Sequence, residues 1–105
     1  MILKIIRCLS ERIEDELQDA QNYIDLAMKW RADEPDTADL FYDLSVEELG
    51  HVEKLHKEVA DLIEEYRKEN GDPPKEMMTL YEYLHEKHIG IATRIRISQG
   101  MYKGA

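Results

Sequence analysis

The chain has 105 residues, 43% of them hydrophobic, which is enough for one domain with a real core. Its 23 acidic against 14 basic residues leave a net charge of −9, which argues against nucleic acid or an anionic membrane as partner, because both require a basic face. The single cysteine, Cys8, excludes an internal disulfide framework and points to a reducing compartment.

The N-terminal run from Met1 to Ile6 is too short, and too interrupted by Lys4, to be a signal peptide or a membrane span. No later stretch approaches the roughly 20 apolar residues that a span needs, so the expected location is cytoplasmic. The first predicted helix covers about residues 3–31. At about 100° per residue its apolar stripe is Ile2, Ile6, Leu9, Ile13, Leu17, Ala20, Ile24 and Ala27. Glu16 falls on that face, whereas Glu11, Glu14 and Asp15 point away.

The stretch 33–37, with Pro35 between acidic residues and Thr37, ends the first helix and caps the second, expected over about residues 36–69. The second stripe holds Phe41, Leu44, Val52, Leu55, Val59, Leu62, Ile63 and Tyr66, with Glu48 close to its centre and His51 toward one edge. Asn70, Gly71, Asp72, Pro73 and Pro74 then supply a helix end, an N-cap and a first-turn proline. They predict a third helix over about residues 73–98, using Met77, Leu80, Tyr81, Leu84, Ile91, Ala92 and Ile95, with His88 among them. Gly90 is a weak point in it, and residues 100–105 read as a frayed tail. The chain is thus expected to be all-α.

Three polar groups in apolar stripes carry the chemistry. An ionised carboxylate buried without a partner costs several kcal/mol, so Glu16 and Glu48 imply something that neutralises them. Residues three apart on a helix are neighbours, so Glu48 and His51 can reach one cation. The spacing alone is common here: Glu53/His56 and Glu82/His85 repeat it, but their glutamates lie on polar sides and read as ordinary exposed pairs. Tyr23, one heptad after Glu16 and about 10 Å further along the same side, could hydrogen-bond a carboxylate or donate an electron. It could equally be an amphipathic residue at the core boundary. The bland reading of Glu16, Glu48 and His51 is a metal-free polar seam between helical subunits. His88 reads first as a satisfied core histidine, with a metal ligand or a partner behind one as the alternative, and Trp30 and Met77 with Met78 as packing.

In these residues the sequence resembles the ferritin-like superfamily of ferritins, bacterioferritins and rubrerythrins. Those proteins take one Glu from the first helix of a pair and Glu-x-x-His from the second, as Glu16 and Glu48 with His51 would supply. The likeness covers the first two helices, about the first 65 residues. It implies a four-helix core and a di-iron or related metal site, with ferroxidase-type or peroxide-linked oxidation as the usual activity. The metal-ligating and catalytic candidates are then a bridging Glu48 with terminal Glu16 and His51, and Tyr23 beside them. Iron suits mixed oxygen and nitrogen ligation, and manganese and zinc also fit.

One chain supplies only two carboxylates and one imidazole, half of what a di-iron site needs. A two-fold homodimer, or a higher homo-oligomer, would double them and complete the bundle. In this the chain is similar to half-sized ferritins that build a site between subunits, including those packaged in encapsulin shells, although it has no defensible shell-targeting tail. A second expectation is a non-enzymatic helical scaffold or adaptor, similar in texture to small helical proteins of bacterial mobile elements. A third is one zinc held within each chain by the same three residues.

Overall fold

The computed structural model describes residues 1–104 and contains three α-helices: α1 (Ile2–Trp30), α2 (Pro35–Asn70) and α3 (Lys75–Gly104). Proline at the first turn of α2 gives up an amide that no helical carbonyl would have met, and Asp36 places negative charge at the positive end of the helix dipole. Gly71, at φ 80°, ends α2 and returns its amide to the Arg67 carbonyl, a conformation that a residue with a Cβ resists. Prolines 73 and 74 follow, and the Met78 amide bonds the Pro74 carbonyl to start α3.

The three helices lie side by side in a rod of 56 × 17 × 17 Å. Three layers of apolar side chains fix their directions. At one end Ile6, Val59, Ile63 and Met77 meet. The middle holds Ile13, Leu17, Ala20, Leu49, Val52, Ala92 and Ile95. Ile24, Ala27, Ala38 and Tyr102 close the other end. Consequently α2 runs antiparallel to α1, and α3 returns parallel to α1. Each fully buried Ile, Leu or Val contributes about 1.5–3 kcal/mol, so these layers dominate the stability of the rod. No helix of the described residues is long and apolar enough to cross a membrane.

The third helix departs from the sequence reading at its end. It continues to Gly104, so residues 100–104 are helix where a frayed tail was expected; Ala105 lies outside the described residues. The cause is tertiary. Tyr102 is buried, stacks on Tyr42 with ring centroids 5.2 Å apart, and donates its hydroxyl to Asp39 at 2.5 Å. Arg31 bonds the Tyr102 carbonyl at 3.3 Å. Gly90 does not interrupt the helix either.

One buried polar link crosses all three helices. Ser45, fully buried on α2, donates to the Ala20 carbonyl at 2.7 Å and accepts from Gln99 of α3 at 2.9 Å. Every member has a partner, which is what makes a buried polar group tolerable.

Candidate metal centre

Helices α1 and α2 bring Glu16, Glu48 and His51 together, and one ligand atom from each lies within 4.8 Å of the others. The His51 Nδ1 atom is 3.6 Å from the Glu16 Oε2 atom and 3.6 Å from the Glu48 Oε2 atom. Among the described residues this is the one group of three His, Cys, Asp or Glu that converges so closely.

The three side chains sit in a gradient of exposure. Glu48 is 17% exposed, Glu16 30% and His51 53%. The stripe therefore holds Glu48 well inside and leaves His51 at its rim. The Glu48 Oε2 atom is buried with no hydrogen-bond partner. Two carboxylates at this separation repel by roughly 3 kcal/mol at the dielectric of a protein surface. A cation between them would offset that.

Tyr23 lies on the same side of α1, half-buried, but stacks on Phe41 with centroids 6.3 Å apart instead of hydrogen-bonding a carboxylate of the trio. On α1 the same flank reads Ile2, Leu9, Glu16, Tyr23 and Trp30, one residue per heptad. On α2 it reads Leu44, Glu48, His51 and Leu55, at spacings of four, three and four, with Leu62 one heptad after Leu55. The third helix docks elsewhere, over Glu14 on α1 and over Ser45, Glu53 and His56 on α2. Among the described residues the flank that carries the trio thus has no partner helix, and its apolar members Leu44, Leu55 and Leu62 are only half-buried.

The structure also gathers a second group that the sequence reading set aside. His56 and His85, expected as exposed members of Glu-x-x-His pairs, turn inward with His88. The His56 ring lies 5.0 Å from that of His85 and 5.8 Å from that of His88, and Tyr81 stacks on His85 at 5.6 Å. Glu53 instead pairs with Arg96 at 3.1 Å. Glu14, expected to point away from the core, reaches the Nε2 atom of the buried His88 at 3.3 Å and Lys87 at 3.8 Å.

The His56 Nε2 atom is buried without a hydrogen-bond partner. Burial first, and then the neighbouring His85 and His88, push its pKa down to about 4, because a charged imidazole there would lose water and face like charge. A signal for this residue was present in the sequence: His56 lies four residues after Val52 and three before Val59, both in the stripe.

No protein-family model, curated protein or solved structure matches this chain in comparisons with all three.

Proposed function

We propose that the chain is a ferritin-like metal-binding protein whose centre forms where the flanks of two copies meet. Convergence of Glu16, Glu48 and His51 around a buried, unpartnered Glu48 oxygen carries the reading. The donor set fits a divalent metal of intermediate hardness, since two carboxylates and one imidazole suit iron or manganese and accept zinc. The ligand-bearing flank, uncovered and spaced as a helical seam, supports the second half of the proposal. Two-fold pairing along it would bring four carboxylates and two imidazoles together and give α1 and α2 the other half of a four-helix core.

A bound iron pair would supply redox chemistry of the ferroxidase type. The residues of this chain would hold it: Glu48, the most enclosed, as the shared ligand, Glu16 and His51 as the outer ones, with Tyr23, stacked on Phe41, further along the same side. The 4.8 Å convergence within a single chain also favours a second reading, one zinc per chain held by three protein ligands with a fourth position open.

The test is metal content and mass measured together on untagged protein offered Fe(II) or Mn(II). The di-metal reading expects one metal per chain, bound by dimers or larger assemblies and lost in Glu48→Gln. Metal bound one per chain by monomers, and lost in Glu48→Gln, selects the single-ion reading. No metal, with the assembly of Glu48→Gln unchanged, rejects both and leaves a metal-free helical scaffold.

A further inference from the structure

We propose that His56, His85 and His88, backed by Glu14, form a second transition-metal site, complete within one chain and selective for a borderline cation such as Zn(II) or Co(II). Two imidazoles on a tetrahedral ion, each with a metal–nitrogen bond of about 2.0 Å, place their ring centroids roughly 5 Å apart. The separations of 5.0 and 5.8 Å about His56 sit near that value. Between the rings, walled by Ser10, Ile13, Val59 and Leu84, is a space of about 10 Å³ for the centre of an occupant, about what one water-sized atom needs.

The protonation pattern suits a ligand site. The Glu14 carboxylate lies 3.3 Å from His88 Nε2, and in the tautomer that donates to it Nδ1 carries the lone pair. A carboxylate behind a histidine is the usual way to orient a metal-bound ring and raise its basicity. His56 already keeps a buried nitrogen without a partner. In the present rotamers the three rings do not bring their nitrogens within 4.8 Å of one another. A turn about the Cβ–Cγ bonds of His56 and His85 moves their nitrogens and leaves the ring centres nearly in place, while His88 keeps its bond to Glu14, and that torsion is broad. Three imidazoles and no facing carboxylate oxygen favour zinc or cobalt over magnesium, calcium or manganese.

The site would pin α3 to both helices of the hairpin from within one protomer. It stands independently of the Glu16, Glu48 and His51 reading, so each can fail alone. In the full chain carrying Glu48→Gln and His51→Gln, Co(II) is added to chelator-treated protein. Visible absorption is followed alongside far-ultraviolet circular dichroism. The expected result is one Co(II) per chain with intense tetrahedral bands, weakened at least about 10-fold by His56→Gln or by His85→Gln. Absence of uptake, or uptake unaffected by both substitutions, overturns the site.

The unsubstituted chain gives a second readout that no folding defect can obscure. Zn(II) must shift the imidazole ¹⁵N resonances of His56, His85 and His88. Shifts confined to His51, or none, show a water-filled space and end the proposal.

Discussion

Replacing Glu48 by methionine separates a functional carboxylate from a structural one. Methionine keeps the length of the side chain and removes its charge. In the metal-free protein Glu48 Oε2 is buried without a hydrogen bond and faces Glu16 across less than 4.8 Å. An unsatisfied buried polar group costs about 1–3 kcal/mol, and the carboxylate repulsion adds roughly 3 kcal/mol before screening. Since 17% of the Glu48 side chain and 30% of Glu16 remain exposed, solvent removes most of the second contribution. Glu48→Met should therefore stabilise the metal-free chain by about 1–2 kcal/mol, raising Tm by roughly 5–10 °C. Thermal unfolding with chelator, and again with Mn(II), reads both halves. With metal at about 100 times its Kd the original chain should gain about 2.7 kcal/mol and the variant nothing. Loss of more than 1 kcal/mol in the metal-free variant would refute the reasoning, because Glu48 would then be a partner in the fold.

Four further outcomes follow from the same geometry. Ser45→Ala leaves the Gln99 amide and the Ala20 carbonyl without their buried link, so urea unfolding should show a loss of about 1–3 kcal/mol; no loss would mean that water replaces the hydroxyl. Tyr102→Ala removes the stack on Tyr42 and the bond to Asp39, and should cost about 2–4 kcal/mol and expose the amides of the last turns to hydrogen exchange. His56 has a folded pKa of about 4 against the usual 6.5, so the unfolded chain binds more protons between those values. Stability is then complete above about pH 6.5 and falls by on the order of 1–2 kcal/mol toward pH 4, after discounting for partial exposure; His56→Gln should flatten that slope in metal-free protein, and an unchanged slope would assign it elsewhere. Mn(II) affinity at the Glu16, Glu48 and His51 centre should weaken on dilution through the dimer dissociation range, seen by equilibrium dialysis at two protein concentrations; a constant affinity would favour one ion per chain.

The first helix was legible almost to the residue. Its predicted stripe contains all six side chains that the fold buries, Ile6, Ile13, Leu17, Ala20, Ile24 and Ala27, because charged residues fill the rest of the helix and the contrast is sharp. On α2 the buried line shifts toward Ser45, Leu49, Val52 and Val59, the side that α3 covers, and Leu44, Leu55 and Leu62 are left half-buried. Sequence periodicity finds an apolar arc but cannot say which part of it a third helix will occupy.

The end of α3 was misread for a related reason. Gly100 and Gly104 have low intrinsic preference for helix, and the contacts of Tyr102 with Tyr42 and Asp39 outweigh it. His56 and His85 follow exposed glutamates by three residues, and the exposure of Glu53 and Glu82 does not extend to them. Neighbours at that spacing share a side of the helix only in part, and an imidazole at the edge of a stripe can turn either way.

The two polar clusters differ in what the chain alone provides. Glu16, Glu48 and His51 come from two helices, and His51 is more than half exposed. A cation there would keep solvent ligands unless another surface closed over it. The neighbouring half-buried leucines are the kind of surface that a second copy would cover. His56, His85, His88 and Glu14 come from all three helices, with His88 only 2% exposed. As a site, that cluster would draw every protein ligand from one chain and leave a fourth position for water. Enclosure, more than ligand identity, therefore separates a centre that depends on assembly from one that does not. The histidine cluster is closed by the docking of α3 on the hairpin, whereas the carboxylate flank would be closed only on the proposed pairing of two chains.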